Sequence, residues 1–123
     1  MKTALLVMVH GSPKPESNTA VFKAVDLIVK QGAFAFVEVG YLDCNEPDIP
    51  TAIDHCVRKG AEGVIAVPYF LHTGKHVASD IPKLLQDART RHPNVEFLMG
   101  SYVGKSEHVT DVLEERAQAA TDK

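Results

Sequence analysis

Four short runs of this chain are dominated by apolar residues: Thr3–Val9, 34–42, 63–70 and 95–99. A strand with one wet face alternates apolar and polar residues. The first and third runs, TALLVMV and GVIAVPYF, do not alternate, so both of their faces must be covered. Each run is followed by a segment whose apolar residues recur at helical spacing. Parallel strands need crossovers of about a dozen residues or more, usually helical. The chain therefore reads β-α-β-α-β-α-β-α, an α/β fold with a parallel sheet and helices on both faces.

The helical segments carry their own punctuation. Pro13 and Pro15 mark a turn and a helix entry, and Ala20, Val21, Ala24, Val25 and Ile28 share one face before Lys30, Gln31 and a capping Gly32. The second helix carries Ile49, Ile53 and Val57 and ends in Arg58, Lys59 and Gly60, two cations at the negative end of its dipole and a glycine cap. The third carries Ile81, Leu84, Leu85 and Ala88; Pro82 is expected only in its first turn, and Pro93 bars its continuation. The fourth is expected to start near Ser106, a good N-cap, with Val109, Val112, Leu113 and Ala117 on its apolar face. The tail from Gln118 to Lys123 is expected to fray. No repeat, low-complexity tract or linker interrupts the pattern, so residues 1–123 read as a single domain. The expected sheet is four-stranded with order 2-1-3-4, a flavodoxin-like arrangement. Its switch point lies between strands one and three, and ligands of open parallel sheets bind outside the carboxyl ends at that point.

Composition narrows the partners. Hydrophobic content is 45% and charged content 24%, ordinary for a soluble globular chain. The net charge of −3 gives no global pull toward nucleic acid or an anionic membrane. Cys44 and Cys56 form neither a CxxC pair nor a disulfide framework, which points to a reducing cytoplasm. The apolar N-terminal run has the look of a signal peptide, but it stops at His10 and no A-x-A site follows, so it reads as a buried first strand. No stretch approaches the length of a membrane span.

Two histidines fall where strands give way to loops. His10 ends the first strand and precedes Gly11 and Ser12; His76 follows the third, within a stretch that also holds His72, Gly74 and Lys75. Both then face the switch-point crevice, and paired imidazoles there suit metal handling or proton transfer. On position alone, His10 reads equally well as a histidine satisfied by a nearby carbonyl. His72 and His76 have the four-residue spacing of a helical metal pair, but Thr73 and Gly74 between them argue against a regular helix. His76 is expected at the N-terminal end of the third helix and His72 on the loop surface. Glu46 also lies on the carboxyl-end side, where Glu-Pro before a helix is equally ordinary turn chemistry. His55, His92 and His108 read as surface or packing residues, and the two cysteines as small hydrophobes. The chain has no G-x-G-x-x-G, P-loop or G-x-S-x-G elbow, which leaves nucleotide binding and serine hydrolase chemistry without support.

Three motifs in order carry a family resemblance: HGS after the first strand, Glu-Pro after the second, and PYFLHTGKHVASDIP at 68–82. Together they resemble the small single-domain class II chelatases, the CbiX-like sirohydrochlorin chelatases of cobalamin, sirohaem and related tetrapyrrole pathways. HGS alone is weak, whereas P-x-F-L-x-x-G-x-H-x-x-x-D-I-P is specific, and the likeness covers about residues 5–113. It implies a cobaltochelatase-like lyase that inserts a divalent metal (Co2+, Ni2+ or Fe2+) into the anionic tetrapyrrole sirohydrochlorin with release of two protons. No permanently bound cofactor is implied; the metal is a substrate. By the same resemblance His10 and His76 match the metal-binding histidines, His10 also as proton acceptor. Glu46 and the stretch Leu71, His72, Thr73, Gly74, Lys75 and His76 match positions that contact the tetrapyrrole. Longer relatives carry two such domains facing one cleft, so the resemblance also implies a homodimer. The alternative reading is a non-catalytic tetrapyrrole or metal carrier with the same fold.

Overall fold

The computed structural model describes residues 2–72 and 74–121, without the side chains of Pro15, Ser17 and His76. β1 (Thr3–Val9) is buried at every position from Ala4 onward, as its unbroken apolar run requires. It sits inside a parallel sheet between β2 (Phe36–Tyr41) and β3 (Gly63–Pro68), with β4 (Glu96–Met99) beyond β3. The order is β2-β1-β3-β4, as the alternation implied. The second, third and fourth strands are shorter than their apolar runs, because the runs extend into flanking loop residues beyond the paired ones.

Right-handed crossovers decide which helix covers which face. The chain steps one way from β1 to β2 and the opposite way from β2 to β3 and β4. α1 (Thr19–Gln31) therefore lies on one face, and α2 (Ile49–Arg58) and α3 (Lys75–Arg91) on the other. On the α1 face, Val21, Val25 and Ile28 pack with Leu5, Val7, Val9 and Tyr41. On the opposite face, Ile53, Cys56, Ile81, Leu85 and Ala88 pack with Leu6, Met8, Val64, Ala66 and Phe97.

The helix ends follow local chemistry. Gly32 caps α1 in the left-handed conformation at φ 71°, and its N–H reaches the Val29 carbonyl. Asp48 caps α2, accepting from the Thr51 N–H at 2.9 Å. Arg91 and His92, at the end of α3, both reach Asp54 on α2, at 2.7 and 2.9 Å, and tie the two helices together.

Two expectations need correction. α3 begins at Lys75, so Pro82 lies in its interior and not in its first turn. Proline has no N–H to give the Ala78 carbonyl. Ala78 and Pro82 are both exposed, so water can take that carbonyl. The last helix, α4 (Glu107–Thr121), starts where expected: the Ser106 hydroxyl accepts from the His108 N–H at 3.2 Å. Yet it buries none of its residues, and Leu113 is 70% exposed. It also stays helical through Thr121, past the point where fraying was expected; Asp122 and Lys123 lie outside the described residues. Among the described residues, no helix is long and apolar enough to cross a membrane.

Candidate functional site

The carboxyl end of β1 is tied to those of β2 and β3 by backbone bonds that continue past the strands. Leu42 donates to the Val9 carbonyl at 2.8 Å, Asp43 to that of His10 at 3.0 Å, and Tyr69 to that of Met8 at 2.8 Å. His10 is the first residue beyond β1, and it is exposed. The turn after it depends on Gly11. Its φ is 95°, and a Cβ there would lie 1.9 Å from the Asp43 carbonyl oxygen, so no other residue fits without displacing the loop. The Ser12 N–H then donates to Asn45 Oδ1 at 2.7 Å, which fastens the β1 loop to the β2 loop.

β3 continues into Tyr69, Phe70 and Leu71. The Phe70 ring meets the His10 ring edge-on, with centroids 5.8 Å apart and planes at 60°, a favourable aromatic geometry that orients the imidazole. Behind it, a 3-10 turn (Val103–Lys105) presses on the same loop: Gly104 N–H donates to the Phe70 carbonyl at 2.8 Å. A Cβ on Gly104 would lie 1.6 Å from the Leu71 carbonyl oxygen, so this approach also requires glycine. Gly74, extended at φ −76° and ψ 166°, opens α3 without a side-chain cap. The first N–H groups of a 17-residue helix are thereby left for anions, beside Lys75.

These pieces enclose a cleft of about 740 Å³. His10 and Phe70 line it from the sheet, Leu42 from the β2 loop, and Leu71, His72 and Gly74 from the β3 loop. Lys75, Val77 and Asp80 line it from α3. Of the residues singled out in the sequence, His10, Leu71, His72, Gly74 and Lys75 thus share one cleft. His76 is the second residue of α3, on the cleft side of the chain order, but its side chain lies outside the described part. Thr73 lies outside the described residues altogether. Glu46 does not line this cleft. It borders a separate hollow of about 460 Å³ with Pro47, Asp48, Thr51 and His55. Tyr41 N–H donates to the Pro47 carbonyl at 2.9 Å, which folds the loop back over the end of β2 and carries Glu46 toward the start of α2.

Sequence reasoning assigned no role to Leu42, Val77 or Asp80. Asp80 lies one helical turn beyond His76, inside the motif at 68–82, and that spacing was its available signal. Leu71 is 68% exposed, so the cleft offers apolar surface to a ligand rather than closing over its own core. The imidazole of His10 can accept a proton or ligate a metal through one nitrogen. Among the described residues, no three His, Cys, Asp or Glu side chains gather to close a metal shell. Of the remaining histidines, His92 is engaged with Asp54, and His108 is exposed on α4. Asp54 is pushed up by partial burial, but its bonds to His92 and Arg91 and their charge outweigh that and hold it below its ordinary value.

An open parallel sheet whose switch point presents an exposed imidazole above an apolar cleft places the chain in the chelatase class of α/β proteins. Residues 4–120 match the CbiX family model, and the chain belongs to the CbiX family. It is 31% identical over 114 residues to the chloroplastic sirohydrochlorin ferrochelatase of Arabidopsis thaliana, covering 93% of this chain and 51% of that protein. It is 30% identical over 125 residues to the sirohydrochlorin cobaltochelatase of Saccharolobus solfataricus, covering 97% and 96%. Among solved structures, the sirohydrochlorin chelatase SirB of Bacillus subtilis in complex with cobalt superposes with a TM-score of 0.87 at 28% identity, over 97% of this chain and 51% of SirB. The chain thus spans about half the length of the plant relative and of SirB, and nearly all of the Saccharolobus protein.

Proposed function

We propose that this protein is a sirohydrochlorin chelatase, inserting a divalent metal (Co2+, Ni2+ or Fe2+) into the free macrocycle with release of two protons. The observation that carries the reading is His10, exposed at the switch point of a CbiX-family sheet and held edge-on by Phe70 over an apolar cleft. Relatives named as ferrochelatase and cobaltochelatase, and a structural neighbour in complex with cobalt, support it.

In this reading His10 and His76 hold the incoming metal. Each neutral imidazole has one free lone pair, so a single nitrogen cannot hold the metal and accept a proton at once. The two tasks must separate in time: metal leaves both histidines for the macrocycle, and the vacated nitrogens of His10 and His76 each take one of the two pyrrole protons, which then pass to solvent. A site with few protein ligands releases metal more readily than a closed four-ligand shell. Leu71 and Phe70 offer apolar surface to the macrocycle, and Lys75 and the start of α3 offer positive potential to its carboxylates. The tetrapyrrole contacts proposed are Leu71, His72, Thr73, Gly74, Lys75 and His76, with Glu46 reached only if the substrate extends over the neighbouring hollow.

Residues 1–123 act in this proposal as one chelatase-like domain, two copies of which form a homodimer. His10, Leu71, His72 and Lys75 are all exposed, so the cleft is open on one side, which a second copy would cover. C2 pairing is the commonest closed symmetry. Two free cysteines suit a reducing cytoplasm. The test is to incubate purified protein with sirohydrochlorin and each metal in turn and follow insertion by absorbance. Acceleration over the protein-free rate supports a chelatase; tight binding of both ligands with no acceleration would make the protein a carrier.

A further inference from the structure

The carboxyl-end rim holds another hollow, on the far side of β3 from His10. It measures about 340 Å³ and lies between α3 and the loop that leaves β4. Val77 borders both this hollow and the cleft, so the two adjoin. Pro68 and Ile81, both buried, form its floor. Met99 gives it an apolar side. Side chains alternate along a strand, so Met99 shares the α3 face of β4 with Phe97. Phe97 is 3% exposed in the core, but Met99, at the strand end, is 47% exposed.

The polar groups of the hollow are Ser101, Tyr102 and Lys105, all from the loop after β4. That loop is fixed by its own backbone. Gly100 N–H donates to the Ala66 carbonyl and Gly104 N–H to the Phe70 carbonyl, both at 2.8 Å, and Lys105 N–H closes the 3-10 turn on the Tyr102 carbonyl at 3.1 Å. Charge sets this hollow apart from its neighbours on the rim. The cleft sets Asp80 against Lys75, and the hollow at Glu46 also holds Asp48, whereas this one has Lys105 and neither Asp nor Glu. Among the described residues Lys105 forms no ion pair. An apolar wall with one cation and two hydroxyls matches an alkyl carboxylate, with methylenes on the wall and the charge on the ammonium.

We propose that this hollow seats one carboxylate arm of the tetrapyrrole, with Lys105 as counter-ion and Ser101 and Tyr102 as hydroxyl donors. This rests on the chelatase reading and adds a subsite that fixes how the macrocycle lies. β4 is two strand spacings from β1, about 10 Å in all. A macrocycle centred at His10 carries its arms outward over that distance, across Val77 and into the hollow. An arm seated there sets which edge of the ring faces α3. The subsite holds substrate equally before and during insertion, so it acts on KM more than on kcat.

The test measures affinity and turnover on the full chain. Lys105→Ala should raise the dissociation constant of metal-free sirohydrochlorin, titrated by fluorescence, and the KM for insertion by about 10-fold, with kcat changed far less. Lys105→Glu should raise both further, and Lys105→Arg should restore most of the affinity. Ser101→Phe keeps every charge but fills the hollow, so it should raise KM as Lys105→Ala does. Lys23→Ala removes an exposed cation from α1, on the opposite face, and should change neither constant. Circular dichroism checks that each variant keeps its fold. A KM unmoved in Lys105→Glu or in Ser101→Phe would overturn the subsite and leave the chelatase reading standing. An equal loss in Lys23→Ala would assign the effect to the general surface field and overturn it as well. A fall in kcat at unchanged KM would make Lys105 a structural support of the rim, again overturning the subsite. A wild type that neither binds nor metallates sirohydrochlorin overturns both readings.

Discussion

Met8 and His10 are two residues apart on one strand line, and they belong to different regimes. Met8 is 0% exposed beneath α2 and α3, while His10 is exposed at the rim. The core below the rim is closed: Leu6, Ile53, Ile81 and Leu85 are all at 1% exposure or less. The rim is open, with Leu71 at 68%. The strand turns from core to rim where pairing with both neighbours ends, and there a side chain stops contributing to packing and becomes available to a ligand. Stability and activity should therefore separate by position along the same strand, and substitutions can break that separation or sharpen it.

The largest expected effect is on the rim. His10→Ala and His76→Ala should each lower the metal insertion rate by about 10²- to 10⁴-fold, with the urea midpoint within error of wild type. Near wild-type turnover in both variants would remove them from the site. Metal binding, followed by calorimetry across a pH series, should weaken together with the insertion rate as the imidazoles protonate, since ligation needs the neutral ring. His92→Ala, at the seam between α2 and α3, serves as the control and should leave the rate unchanged.

The core should behave in the opposite way. Leu6→Ala removes a fully buried side chain from between two helices and the sheet, and should destabilise the fold by about 2–5 kcal/mol. Turnover per folded molecule should stay near wild type. A specific activity that collapses while the fold is intact would mean that the core transmits strain to His10, and the two regimes are not separate. Gly11 is where they meet. Gly11→Ala must move the Asp43 backbone or leave φ 95°, a strain of about 1–3 kcal/mol. It should lower both stability and insertion rate, more modestly than either extreme.

How much of this was legible in the residues follows the same division. Sheet order and both helix layers could be read because unbroken apolar runs and helical periodicity are set locally. Pro82 misled because a proline is tolerated inside a helix when its orphaned carbonyl can reach water, and that depends on which side faces out. Periodicity gave α4 an apolar face but could not say that, among the described residues, none of α4 is buried. At the rim, the carboxyl-end rule pointed to the loops after β1 and β3, and His10, His72 and Lys75 from those loops line one cleft. It also grouped Glu46 with them, because it cannot foresee a loop folding back through the Tyr41–Pro47 bond. Asp80 went without a role because a lone carboxylate on a helix reads as a solvated charge until the cleft it borders is known.

The smallest effect concerns the seam between α2 and α3, remote from the rim. Asp54 is held below its ordinary value of 3.8 because its bonds to His92 and Arg91 and their charge outweigh the upward push of burial. Its folded-state pKa is thus depressed relative to the unfolded chain. In that window the unfolded state binds more protons, so stability rises with pH there. The contribution is fully present above 3.8 and is lost as pH falls below it, through the folded value. Asp48, lowered by its bond from Thr51, adds a second contribution of the same sign. Urea midpoints measured from about pH 5 down to about pH 2 should therefore fall less steeply in Asp54→Asn than in wild type, with the remaining slope reduced further in Asp48→Asn/Asp54→Asn. Insertion rate at neutral pH should be unaffected by Asp54→Asn, since the carboxylate joins helices and touches no ligand. An acid limb identical in wild type and Asp54→Asn would show that the His92–Asp54–Arg91 contact does not persist in solution, and a lost insertion rate would extend the functional region into the seam.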